Sequence, residues 1–168
     1  MKKSKRTNNM RGFELVTINE YVKKRKSEEY KEIKQPSRAT ANAAGYDFYL
    51  PYELMIAAHE AVIISTGIKA YMPSDEFLMI VIRSSLGFKM GLRLRNQVGI
   101  IDSDYYNNVD NEGHILVAIE NTSDKEVCLH QGDRFAQGIF MKYQIVDNEQ
   151  MIVNKRAGGI GSTNRKNK

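Results

Sequence analysis

Five short segments hold the residue types that could do chemistry. In chain order they are AAGYDFY (43–49), RSSLGFK (83–89), NQVGIIDSDYYNN (96–108), GDRFAQ (132–137) and RAGGIGSTN (156–164). The third places Asp102, Asp104, Tyr105 and Tyr106 directly after an apolar, strand-like run. A carboxylate held at such a point acts as a general base when a water lies within hydrogen-bond reach. The same pattern also describes an ordinary acidic turn. Arg83, Ser84 and Ser85 leave another apolar run and on their own read as a polar turn. In the last segment Gly158, Gly159 and Gly161 precede Ser162 and Thr163, which fits either a flexible end or a phosphate loop.

These residues need a scaffold, and the chain offers a β one. RGFELVTINEY (11–21) reads as a first strand rich in β-branched and aromatic residues. EAVIISTGIKAYM, EFLMIVIRS, HILVAIENT and RFAQGIFMKYQIV are further β-type runs, separated by turn material such as MPSDE, NNVDNEG, TSDKE and QGD. GLRLRNQVGIID alternates, with Leu92, Leu94 and Val98 on one side and Arg93, Arg95 and Gln97 on the other. The Lys/Glu-rich stretch 22–36 shows little apolar face and reads as a short exposed helix ended by Pro36 or as a mobile insertion. Many short strands at fairly even spacing suggest an all-β sandwich, barrel or jelly roll, and the absence of long amphipathic helices argues against a doubly wound α/β fold.

At 168 residues and 42% hydrophobic content, one packed domain is the default. The net charge of +5 is unevenly distributed. Residues 1–35 carry eleven Lys/Arg against five Asp/Glu, and 155–168 carry five against none, which leaves 36–154 with nine against fifteen. An acidic body with basic ends argues against a nucleic-acid-binding surface. No apolar run reaches the roughly 18 residues of a membrane span, and no apolar segment follows the basic start. The expected setting is cytoplasmic. The single cysteine, Cys128 in EVCLHQ, excludes an internal disulfide framework and reads as a strand residue.

Together and in order, the five segments resemble the motifs of the trimeric dUTPase family (deoxyuridine triphosphate nucleotidohydrolases), which read approximately AGxDL, RSGLG or RSS, GxIDxDY, GDRxAQ and RxGGFGSTG. The resemblance spans residues 43–164. It implies a basic tail (1–10), an all-β, jelly-roll-like β-barrel domain of the dUTPase type (11–155, with the exposed insertion 22–36) and a C-terminal arm (156–168) that closes over phosphates. It implies hydrolysis of dUTP to dUMP and pyrophosphate by attack of water on the α-phosphorus. That reaction limits uracil in DNA and supplies dUMP for dTMP synthesis.

The roles follow by matching positions. Asp102 matches the aspartate that activates the water, and Tyr105 the tyrosine that packs under the deoxyribose and excludes a 2′-hydroxyl. Asn96 matches the position whose backbone helps read uracil. Arg83, Ser84 and Gln137 match phosphate contacts, and Ser85 replaces a usual glycine, adding a hydroxyl. Arg156, Gly161, Ser162 and Thr163 match the arm's phosphate contacts, although the family's usual spacing would align Lys155 in place of Arg156. Asp47 matches the aspartate that meets waters on a Mg²⁺ bound to the triphosphate, an outer-sphere role. Asp104 is assigned to structure, a turn hydrogen bond or a pair with a neighbouring Arg, and Asp133 and Arg134 to the turn and the subunit contact.

Ile160 stands where the family has the phenylalanine that stacks on uracil, and Phe88 and Tyr106 are the candidate substitutes. The resemblance also implies a homotrimer: three chains share each site, and the third motif and the arm come from different neighbours than the rest. Membrane and nucleic-acid partners are not implied. Two alternatives stand beside this reading: a dCTP deaminase-type homologue, and a dUTPase with an added regulatory protein partner. The deaminase pattern puts a glutamate three residues before an Asn, where this chain has Ala118 before Asn121.

Overall fold

The computed structural model describes residues 10–152, Arg156 and Gly158. Its elements are β1 (Gly12–Leu15), α1 (Ile18–Tyr21), α2 (Ser27–Tyr30), β2 (Tyr46–Tyr49), β3 (Leu54–Ile56), β4 (Ala61–Ser65), β5 (Ile68–Tyr71), β6 (Glu76–Ile82), α3 (Ser84–Met90), β7 (Leu92–Leu94), β8 (Gly99–Asp102), β9 (Leu116–Asn121), β10 (Val127–Leu129) and β11 (Arg134–Lys142), with a 3-10 turn at Ser103–Tyr105. The all-β, jelly-roll-like class holds. Among the described residues the strands make four small antiparallel sheets around one core rather than a closed barrel. The orders are β2-β11-β6-β8, β4-β9-β7, β1-β5 and β10-β3.

Alternation builds that core. In β9, Val117, Ile119 and Asn121 point inward, and in β6, Glu76, Leu78 and Ile80 do. Phe48, Ile64, Leu92, Leu94, Ile115 and Phe135 fill the centre with almost no exposure. Truncating one such side chain to Ala costs about 2–5 kcal/mol. Two buried polar groups are tied in. The Asn121 Nδ2 lies 3.0, 3.1 and 2.7 Å from the carbonyls of Ile56, Ala57 and Lys125. Glu76 receives a fork from Arg11 at 2.7 and 2.6 Å, which ties the entry to β1 to β6.

Three sequence expectations are corrected. The first strand stops at Leu15, because Thr17 caps a helical turn by accepting from the Glu20 N–H at 3.2 Å. The 61–72 run is two strands rather than one, split at Gly67 with φ 72°. The alternation in 92–102 breaks after Leu94. Gln97 adopts φ 61° in a tight turn and Val98 ends up 41% exposed instead of sharing the buried side. Within 22–36, α2 is a single turn, and Arg25 forks onto Glu29 at 2.8 and 2.7 Å. No helix of the described residues is long and apolar enough to cross a membrane.

Candidate active site

The five segments form two groups. The first sits where β2, β11 and β6 run side by side. Gln137 of β11 pairs with Asp47 of β2 on one side and Val81 of β6 on the other. Arg83 is the first residue past β6 and the N-cap of α3. Asp47 is buried between two guanidiniums, Arg83 Nε at 3.2 Å from Oδ1 and Arg134 Nη1 at 3.2 Å from Oδ2. The Arg83 Nε is shielded from solvent yet makes no aligned hydrogen bond. Its contact with Asp47 is therefore ionic, and its N–H retains capacity for an acceptor. Ser84 and Ser85 open α3 beside it, Ser84 exposed and Ser85 half-buried. Gly45 lets Gln137 lie against the chain: a Cβ there would meet Gln137 Oε1 at 2.5 Å. The expectation that Arg134 holds structure fits its bond to Asp47, and Asp133 Oδ2 accepts from the His130 N–H at 2.8 Å, closing the turn before β11.

The second group lies at the other end of β6. Asp102, the last residue of β8, pairs with Phe77 at the start of β6. Arg156 spans the two carboxylates, donating from Nη2 to Asp102 Oδ2 at 2.6 Å and from Nε to Asp104 Oδ1 at 2.8 Å. Its guanidinium carbon also lies 5.6 Å from the Tyr105 ring centre. In this state Arg156 serves the aspartates. The phosphate contact expected of it is a separate state that these distances do not describe. Tyr105 is 6% exposed and clamped: its hydroxyl donates to the His114 carbonyl at 3.1 Å and accepts from Asn111 Nδ2 at 2.8 Å. Burial pushes its phenol pKa up.

The support for Tyr105 comes from a loop that the sequence reading passed over as turn material. Asn108 Nδ2 donates to the Tyr105 carbonyl at 2.8 Å, and Asn108 Oδ1 accepts from the N–H groups of Asp110 and Asn111 at 3.1 and 3.2 Å. Gly113, at φ 82°, is needed because a Cβ would stand 2.7 Å from the Tyr105 carbonyl oxygen. His114 is fully buried, and its Nε2 accepts the Gly67 N–H at 2.9 Å. Burial lowers its pKa to about 4 despite Glu20 nearby. The repeated Asn in YNNVDNEGH was the available signal, since Asn in clusters marks side-chain-closed turns.

Between β8 and the 115–118 stretch lies a pocket of about 420 Å³, lined by Ile80, Leu94, Asn96, Gly99, Ile100 and Val117 among others. Its size and apolar walls suit a small planar ligand, within the roughly 300–1,000 Å³ of ligand pockets. Asn96 stands at its rim in the 95–98 turn, where its carbonyl accepts from the Val98 N–H at 2.6 Å. Of the two proposed stand-ins for Ile160, Tyr106 is engaged, its hydroxyl bonded to Glu14 and its ring 5.8 Å from Tyr71. Phe88 is 91% exposed on α3, one turn beyond Ser84. Ile160, Gly161, Ser162 and Thr163 lie outside the described residues, as does Lys155.

The two groups are far apart within one chain. Asp102 is level with Phe77, while Arg83 is six residues further along the strand direction. At about 3.3 Å per residue that is roughly 20 Å.

Comparison with known proteins gives one answer. The dUTPase family model matches residues 31–164. The deoxyuridine 5'-triphosphate nucleotidohydrolase of Lactococcus lactis subsp. lactis is 43% identical over 157 residues, covering 92% of this chain and 97% of that protein. The enzyme of the same name from Glaesserella parasuis is 34% identical, covering 80% and 89%. The crystal structure of a dUTPase from Streptococcus mutans superposes with a TM-score of 0.69 at 42% identity, covering 82% of this chain and 99% of that one.

Proposed function

The chain belongs to the dUTPase family, and from that premise we propose that it hydrolyses dUTP to dUMP and pyrophosphate, with Asp102 holding and activating the attacking water at the α-phosphorus. One observation carries the assignment of the base. Asp102 is a half-exposed carboxylate on the end of a paired strand, directly after pocket-lining Ile101 and three residues before the clamped Tyr105. A base fixed there by β-sheet pairing, next to a base-sized apolar pocket, can meet a phosphate at the pocket mouth with little reorganisation.

In this reading uracil enters the pocket beside Asn96 and the sugar lies on Tyr105. The Asn111 and His114 bonds keep that ring from yielding to a 2′-hydroxyl. A hydroxyl excluded by a wall that cannot move is rejected sterically. Phosphoryl transfer needs positioning and charge neutralisation more than covalent chemistry. Arg83, with Ser84, Ser85 and Gln137, supplies donors for phosphate oxygens.

Mg²⁺, when bound to the triphosphate, would neutralise charge on the phosphates. Asp47 suits a contact through water. Its two oxygens already face one guanidinium each, which leaves lone pairs for a metal-bound water but disfavours direct coordination beside two cations.

The separation of about 20 Å between Asp102 and the Arg83 group supports a site assembled from more than one chain, because both must approach the same triphosphate. A closed homotrimer meets that need. The arm residues Arg156, Gly161, Ser162 and Thr163 would then close over the phosphates, with Arg156 moving from the Asp102–Asp104 pair. The product dUMP would feed dTMP synthesis, and removal of dUTP would limit uracil in DNA.

A pyrophosphate-release assay across dUTP, dCTP, dTTP and UTP tests the proposal. Release is expected from dUTP with Mg²⁺ and little from the others. Ammonia release from dCTP would establish the deaminase instead.

A further inference from the structure

The short β3–β10 ribbon, whose residues belong to none of the five segments, carries a cluster of unlike ligand types. Cys128 sits opposite Met55 in the β10–β3 register, and Leu129 sits opposite Leu54, so continuing the pairing places His130 opposite Glu53. Residues two apart on a strand share a face, and directly paired residues share it too. Cys128, His130, Glu53 and Met55 therefore occupy one face of the ribbon. It is the outer face, because the alternate residues Leu129, Val127 and Ile56 are buried. The side chains converge. His130 Nδ1 is 3.3 Å from Glu53 Oε2 and 3.9 Å from Cys128 Sγ, and the ligand atoms of Cys128, His130 and Glu53 all lie within 4.8 Å of one another.

Those spacings can be compared with a metal's requirements. Tetrahedral Zn²⁺ holds sulfur at about 2.3 Å and nitrogen and oxygen at about 2.0–2.2 Å, which sets nitrogen and oxygen ligands about 3.3 Å apart and sulfur and nitrogen ligands about 3.6 Å apart. The observed 3.3 Å coincides with the first distance, and the observed 3.9 Å is within a small side-chain adjustment of the second. His130 is held for the task from behind, since Asp133 Oδ2 accepts its backbone N–H at 2.8 Å. The surroundings are acidic as well. Glu53, Glu126 and Asp133 place carboxylates around Cys128, and that negative field attracts a cation.

We propose that Glu53, Cys128 and His130 form a surface site for a borderline-soft divalent cation, Zn²⁺, with one thiolate, one imidazole and one carboxylate ligand and a water in the fourth position. Mg²⁺ is a poor occupant because it takes oxygen ligands in an octahedron, so this site is chemically distinct from any metal carried by the nucleotide. Binding releases the thiol proton, and the site clips β3 to β10 outside the core. Met55 flanks the cysteine as a thioether neighbour on the same face.

The test uses the full-length protein under reducing, thiol-free conditions with excess Mg²⁺ present, titrated with Co²⁺ and then with Zn²⁺. The expected result is one Co²⁺ per chain with a thiolate-to-cobalt charge-transfer absorption, displaced by Zn²⁺, and a melting temperature that rises with Zn²⁺. Cys128→Ser should abolish the absorption. His130→Gln and Glu53→Gln should each weaken Zn²⁺ binding about tenfold or more while leaving the metal-free melting temperature near that of the parent. Absence of the charge-transfer band in the parent protein would overturn the proposal, as would Zn²⁺ affinity unchanged in both Cys128→Ser and His130→Gln. None of these readouts depends on dUTP hydrolysis.

Discussion

If each working site combines Asp102 of one chain with Arg83 of another, two dead variants must repair one another. Within a chain the two residues stand about six strand positions apart, roughly 20 Å. A general base works within about 3 Å of its water, and a guanidinium contacts a phosphate oxygen at about 2.7–2.9 Å. No single triphosphate satisfies both from one chain. Consider equal amounts of Asp102→Asn and Arg83→Ala chains, mixed in denaturant and refolded together. A site works when its Asp102 comes from an Arg83→Ala chain and its Arg83 from an Asp102→Asn chain. Each condition is met about half the time, so roughly a quarter of all sites are intact, whatever the number of chains in the ring. Loss of a general base costs about 10²–10⁴ in rate, so rings of Asp102→Asn alone should stay at or below about 1% of parent activity. Rings of Arg83→Ala alone should likewise be weak. Pyrophosphate release in the co-refolded sample should therefore recover to about a quarter of the parent rate. Variants refolded separately and then combined should show no recovery until chains exchange. Activity in the co-refolded sample equal to the mean of the two variants would refute a shared site and with it the geometric reasoning.

Four further outcomes follow from named contacts. Asp102→Asn should lower kcat at least a hundredfold with dUTP affinity, read by calorimetry, little changed; near-normal turnover would remove Asp102 as the base. Gly45→Ala should displace Gln137, whose Oε1 would lie 2.5 Å from the new Cβ, and lower kcat/KM about tenfold, the equivalent of one charge-assisted hydrogen bond, without a matching fall in melting temperature. Phe88→Ala should raise KM for dUTP about fivefold if the exposed ring covers the uracil face in place of an aromatic at Ile160; an unchanged KM would assign that cover elsewhere. His114, held near pKa 4 against about 6.5 when unfolded, binds its proton more readily in the unfolded chain. Folding stability should therefore fall as pH drops below about 6.5 and approach its full loss of about 3 kcal/mol near pH 4. Urea midpoints measured across that range would show it, and His114→Gln should flatten the slope.

The family was legible because its motifs are contiguous in the chain. Asp102, Tyr105, Arg83 and Gln137 could each be pointed to from five short strings. The β class was legible because alternation survives in β9 and β6, whose inward residues are the core. What resisted reading was what depends on conformations that neighbouring residues impose. Thr17 converts the end of an expected strand into a helical turn through one side-chain oxygen, and Gln97 at φ 61° turns an expected alternating run into a hairpin. The Asn108–Asn111–His114 clamp on Tyr105 is likewise a network of local side-chain-to-backbone bonds. Its members look like generic loop residues until the loop is closed.

Motif order along the chain also hid the most consequential feature. Arg83 and Asp102 are separated by eighteen residues that form α3, β7 and a hairpin back onto β6, so they look like neighbours in one site. Yet β8 returns antiparallel to β6, and every residue gained toward Asp102 carries the chain away from Arg83 along the same strand. Sheet pairing therefore holds Asp102 and Arg83, the proposed base and phosphate donor, rigidly but at opposite ends of one strand. If Asp102 and Arg83 act on one triphosphate, as proposed, groups this rigid and this distant meet only when the end of β8 in one chain is set against the end of β6 in another. The stiffness of the sheet would then be the physical reason for the proposed assembled site: no loop closure within a single chain brings Asp102 to Arg83 without breaking the β6–β8 ladder that holds Asp102 in place.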